Sequence, residues 1–159
     1  MHIQLLSRIL ALCLLTPASL NAQSTKVDHL TREQILEKAH ALESLARTQD
    51  GSASAKLSEY PNHYTMVALR HRNGGAEIHE HFADIFIVVE GHATLLTGGS
   101  VLAPKTVSPG ETKGTSVQGG SPQELKEGDV VHIPAGVPHQ LLLPEGGSFV
   151  YFVIKVRES

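Results

Sequence analysis

Polar and apolar positions change their period twice along this chain. After a polar lead, Thr31-Arg32-Glu33-Gln34 places a hydroxyl before a helix and a Gln three residues on, the arrangement of a capping box. Ile35, Leu36, Ala39, Leu42, Leu45 and Ala46 then recur on one stripe, which predicts one amphipathic helix from Arg32 to Arg47. Gln49 to Ser54 reads as a flexible link that ends it. From Tyr64 onward the period shortens to that of strands separated by glycine and proline. Tyr64 to Arg70 and Ile85 to Val89 are predicted strands, and Ala93 to Thr97 follows Gly91 closely enough to pair back as a hairpin. Gly98 to Gln123, rich in Gly, Pro, Ser and Thr, reads as an inserted, loosely structured hairpin. Asp129 to Ile133, Gln140 to Leu143 and Phe149 to Val156 complete the set. Seven or eight short strands without an intervening helix predict an all-β domain, an antiparallel sandwich or closed barrel, preceded by one helix.

Composition changes the picture mainly at the start. The chain has 159 residues, 41% of them hydrophobic, which suits one domain with a sufficient core. Residues 1–22 stand apart: Arg8, an apolar run from Ile9 to Leu15 too short to span a bilayer, and small residues up to Ala22. That order is the pattern of a cleavable signal peptide, so the chain is expected to be exported, periplasmic or secreted. Cys13 would leave with it, and no disulfide could then contribute to stability. The division expected is 1–22 signal peptide, 23–56 helix and linker, and 57–159 barrel domain.

Net charge is −3, with no basic cluster, no Trp and only seven Phe and Tyr. Neither the electrostatic footprint nor the stacking platforms of nucleic-acid binding are present. No later apolar run approaches transmembrane length, so no membrane association is expected of the mature form.

Candidate chemistry gathers in GGAEIHEHFADIFIVVEG, residues 74–91. Side chains two apart on a strand share a face, so His79 and His81 are expected to project together, with Asp84 opening the next strand. Phe86 and Val88 would share the face of Asp84, and Ile85, Ile87 and Val89 the opposite one. His139 follows the sharp Pro134-x-Gly136 turn far along the chain. His132 reads either as a pocket residue or as a strand histidine facing another layer. His63, Arg70, His71 and Arg72 flank the first strand and read as strand-end charges, with contact to a carboxylate substrate as the alternative. His29, His40 and His92 read as surface residues.

These residues resemble the two motifs of the cupin superfamily, in particular its small single-domain members. The first motif reads Gly75, His79, His81, Asp84, Gly91 and the second, GDVVHIPAGVPH, reads Gly128, Pro134, Gly136, His139. Six residues separate Asp84 from Gly91 and five separate Gly128 from Pro134, the spacings the two motifs have. Three positions depart: the first glycine is nearer to His79, Asp84 stands for a Glu and arrives one residue early, and Leu143 stands where an Asn is usual. The resemblance covers about Tyr64 to Val156. It implies a jelly-roll β-barrel holding one divalent transition metal ion, iron, manganese, nickel, copper or zinc, on His79, His81, Asp84 and His139. Imidazoles and a carboxylate suit those ions and leave coordination positions open for a ligand.

Two functions stand on this set. One is an enzyme that holds a small oxygenated molecule on the ion for dioxygenase- or isomerase-type chemistry. The other is a non-catalytic module that captures a small molecule or the metal itself, favoured by the shortage of other acid-base groups. A homodimer joined through sheet edges would cover exposed strands.

Overall fold

The computed structural model describes residues 27–48 and 50–158; the expected signal peptide, 1–22, lies outside them. The capping box forms as read: the Thr31 hydroxyl accepts from the Gln34 N–H at 3.3 Å, and the Gln34 carbonyl oxygen accepts from the Thr31 N–H at 2.9 Å. The single expected helix is two, α1 (Arg32–His40) and α2 (Glu43–Thr48). At the junction the Leu42 N–H reaches only three residues back, to the Ala39 carbonyl at 2.9 Å, which tightens the turn. The two pieces lie over different strands, α1 mainly over β2 and β4 and α2 over β1. A twisted sheet diverges from a straight rod, and the turn lets each piece seat a fully buried alanine, Ala39 and Ala46.

The end of the expected link, Ser52 to Ser54, opens the first strand. β1 (Ser52–Glu59) runs antiparallel to β2 (His63–Arg70), Ser52 opposite Arg70, so the sheet begins at Ser52 and not at residue 57. Its alternation is written in small residues: Ala53, Ala55 and Leu57 pack beneath the helices while Ser52, Ser54 and Lys56 turn the other way. Alanine carries too little hydrophobicity for that period to stand out.

The following strands are β3 (Ala76–His79), β4 (Phe82–Thr97), β5 (Ser100–Leu102), β6 (Lys105–Ser108), β7 (Glu111–Gly114), β8 (Ser116–Gln118), β9 (Ser121–Lys126), β10 (Val130–Ile133), β11 (His139–Leu142) and β12 (Phe149–Arg157). Instead of a hairpin at Gly91, β4 runs unbroken for 16 residues. Its first half pairs with β10 and β12, its second half with β9 and β11. Gly91 (φ +84°) makes the passage possible, because a Cβ there would lie 2.1 Å from the Ser148 carbonyl oxygen. The sheet order β1-β2-β12-β4-β11-β3-β7-β6 curls into an all-β, jelly-roll half-barrel with the helices outside.

The 98–123 insertion contains the expected hairpin pairing, β5 with β8, but is not loose. Nested within it, β7 pairs with both β6 and β3 and becomes part of the barrel wall.

Alternation along β4 and β12 divides the core into two layers, with Phe86 and Val88 on the inner face expected for them. Phe86, Val88, Phe149, Tyr151 and Val153 fill the interior with Leu95, Leu125 and Leu141. Val89 and Val150 face outward and join Val67 and Leu69 under Ala39 and Ala46.

Candidate metal centre

β3 sets the site because its period-2 face points into the barrel. Glu77 and His79 share that face, and the antiparallel neighbour β7 places Lys113 opposite Glu77 and Glu111 opposite His79. On the other side β11 places His139 opposite Glu77. β4 contributes Asp84 at the start of its inward row. His79 is 8% exposed, Asp84 2% and His139 5%, so three polar groups lie where water scarcely reaches.

Of the four residues expected from the sequence, the fold brings three together. Nε2 of His79 is 3.5 Å from Oδ2 of Asp84, Nε2 of His139 is 3.7 Å from the same oxygen, and the two ring centroids are 5.1 Å apart. His81 lies elsewhere. β3 ends at His79, the chain bends through Glu80 with its N–H on the Gly110 carbonyl at 2.8 Å, and the exposed His81 ring lies over Gly110. The space is tight: a Cβ at Gly110 would be 2.6 Å from Cδ2 of His81. The shared-face expectation for His79 and His81 therefore does not hold, since a bend replaces the strand it assumed. The same period read one step upstream finds Glu77, whose Oε2 is 3.6 Å from Nε2 of His79. Glu77, His79 and His139 offer ligand atoms all within 4.8 Å of one another, a group that could hold a metal ion.

The surroundings orient these side chains. Nδ1 of His79 makes a short contact with a carboxylate oxygen of Glu111, and Nδ1 of His139 donates to the Val137 carbonyl at 3.0 Å. Each ring thus uses its outer nitrogen for the protein and turns Nε2 inward, the pattern of metal-binding histidines. Nε2 of His79 is buried without a hydrogen-bond partner among the described residues. An orphaned ring nitrogen facing Glu77, Asp84 and His139 fits a divalent cation, which accepts nitrogen and carboxylate donors together.

Charge at the site is balanced tightly. Lys155 reaches inward from β12 and donates to Oδ2 of Asp84 at 2.8 Å, with Oδ1 at 2.6 Å but outside hydrogen-bond geometry. Lys113 donates to Oε1 of Glu77 at 3.0 Å. Burial alone would raise the Glu77 carboxyl, but Lys113 and the two histidines outweigh it and hold it below the ordinary carboxylate value. Burial lowers the His139 ring below the usual histidine value, against the opposing pull of the Val137 carbonyl and Asp84. Both shifts favour the form in which each group can act as a ligand.

The site opens into a cavity of about 820 Å³, on whose wall Tyr64, Arg70 and Tyr151 also lie. His132 is exposed on β10 and His71 is bound to Glu43 at 2.9 Å, so neither belongs to it. Lys155, Glu77 and Glu111 were not among the residues singled out in the sequence. For Lys155 a signal existed: Phe149, Tyr151 and Val153 place it on the inward row of an apolar strand.

No protein-family model and no curated protein sequence matches the chain. Solved structures do. The cupin domain of Schizosaccharomyces pombe Cnp3 superposes with a TM-score of 0.52 at 12% identity, covering 69% of this chain and 67% of that one. A conserved Klebsiella pneumoniae protein with a double-stranded β-helix domain gives 0.51 at 16% identity, over 68% and 78% of the two chains. The DMSP lyase DddQ from Ruegeria pomeroyi gives 0.51 at 19% identity, over 70% of this chain; the match spans only about half, 49%, of the lyase. The chain has the cupin fold, the double-stranded β-helix.

Proposed function

We propose that this is an exported cupin that binds one divalent transition metal ion through Glu77, His79 and His139, with Asp84 at its side, and captures a small oxygenated molecule there. The observation that carries the reading is the buried, unpartnered Nε2 of His79, surrounded by the other donors. When bound, the ion would supply Lewis-acid polarisation of ligand oxygens, the common ground of dioxygenase- and isomerase-type chemistry. The chain's own residues do the rest. Glu111 and the Val137 carbonyl hold the two rings in place. Lys155 keeps Asp84 from meeting the ion as a free carboxylate. Phe86 and Tyr151, their rings 4.9 Å apart, form part of the cavity wall beside the site.

Equilibrium dialysis against manganese(II) or zinc(II) followed by elemental analysis is expected to find about one ion per chain, lost in His79→Ala and His139→Ala with the fold intact. Retention of the ion by both variants would refute the site. Turnover on a panel of diketones, catechols, sugars and DMSP tests the enzyme reading.

A second reading, a non-catalytic binding module, is favoured by one observation: Glu77, Asp84 and Glu111 are each already engaged, which leaves few free proton-transfer groups. Ligand retained through purification, with no product formed, selects it. Export predicts a mature amino terminus at Gln23, read by sequencing protein recovered outside the cytoplasm.

A further inference from the structure

The cavity wall carries one cation, Arg70, that no carboxylate among the described residues meets in an ion pair, although Glu77 is near enough to act on it electrostatically. Glu77 is paired with Lys113 and Asp84 with Lys155, and Glu111 is held by the His79 ring. Arg70 ends the inward row of β2 after Met66 and Ala68, and its guanidinium lines the same cavity. Among the described residues it has no ion-pair partner; its one hydrogen bond runs from Nε to the Tyr151 hydroxyl at 3.1 Å. That leaves its two terminal nitrogens as a coplanar fork. They lie over Gly74, where a Cβ would come within 3.0 Å of one and 3.5 Å of the other, so the absence of a side chain there makes room for them. Burial pushes the Tyr151 phenol up, which keeps its O–H as a donor, and the Arg70 bond occupies only its oxygen.

We propose that Arg70, with the Tyr151 hydroxyl, anchors a carboxylate of the ligand, so that the cavity selects small carboxylic acids. A guanidinium fork matches two coplanar oxygens. A single carboxylate suits the one guanidinium fork, whereas a doubly charged phosphate would meet Glu77, Asp84 and Glu111 with no second cation free of an ion pair beside it. The ligand's remaining oxygens would then face Glu77, His79 and His139. This orientation rests on the metal reading above; the anchor itself does not.

Titration of propionate and its neutral isostere propionamide, followed by saturation-transfer NMR, tests the anchor in the full chain, metal-free and zinc-loaded. Propionate is expected to bind the metal-free protein, about tenfold more weakly in Arg70→Met, with propionamide as weak as that variant. Arg70→Lys, which keeps the charge and stem but loses the fork, is expected to weaken propionate as well and serves if Arg70→Met does not fold. Equal propionate binding in wild type and variants, equal binding of acid and amide, or no binding to metal-free protein would each overturn the proposal. Zinc uptake is read separately: its absence from the wild type refutes the metal site, and its persistence in Arg70→Met shows that the variant damaged only the anchor.

Discussion

The two ends of the barrel interior are built by the same strands and meet opposite demands. Where β12 pairs with β4 near Gly91, Phe149 lies among Leu95, Leu125 and Leu141, all but Leu141 essentially without exposure. Six residues along the same row, Lys155 lies opposite Asp84, and the interior becomes charged. The packed end is held by shape and apolar area, so each side chain there contributes on its own. At the charged end every group depends on another, because an unpartnered buried charge is far more costly than a buried pair. The apolar end rests on packing and the charged end on mutual pairing.

Paired substitutions separate the two ends most sharply. Phe149→Ala is expected to destabilise by about 3–5 kcal/mol in urea unfolding. Lys155→Met is expected to cost about as much, 3–5 kcal/mol, by stranding Asp84. The difference lies in rescue: Asp84→Asn combined with Lys155→Met should recover most of the loss, whereas no second substitution at the apolar end restores Phe149. If the double variant is as unstable as the sum of the singles, the coupling argued for the charged end is absent.

Glu111→Gln should lower metal affinity by about 10- to 100-fold while leaving the melting temperature of the metal-free protein nearly unchanged, since it alters how His79 is held. Unchanged affinity by competitive chelator titration would show that the contact orients nothing. A smaller effect comes from pH. His139 has its folded pKa lowered chiefly by burial, so below about pH 6.5 the unfolded chain takes up a proton that the folded chain resists. Stability of the metal-free protein is therefore expected to fall as pH drops from about 7.5 to about 5.5, and the slope should flatten in His139→Phe. Glu77, with its pKa lowered, adds a loss only further into acid. The smallest effect is expected at His81→Ala, with metal affinity changed by less than about twofold. A large loss there would place His81 at the centre despite its exposed position.

Much of the barrel was legible because its strands alternate large apolar residues with others. The inward row Asp84, Phe86, Val88 and the outward Val89 follow from period alone, and the resemblance of the His79 and Pro134 to His139 segments to the two cupin motifs pointed to one site. The misreadings have physical causes. Ser-Ala-Ser-Ala hid a strand because alanine buries little area. Gly91 signalled a reversal but serves a bend between two sheets. His81 fell outside because alternation holds only as far as the strand does, and β3 stops at His79.

Residue order alone determined which side chains share a face: the capping box of α1, the rows of β4 and β12, and the presence of paired histidines beside an apolar strand are all local properties, set by neighbours within a few residues. Which rows meet was decided by tertiary structure. Glu111 reaches His79 across a β3–β7 pairing formed by an insertion, Lys155 reaches Asp84 across 71 residues, and Arg70 reaches Tyr151 across 81. Such partners are chosen by sheet register and curvature, which depend on the whole packed barrel, and no local pattern encodes them.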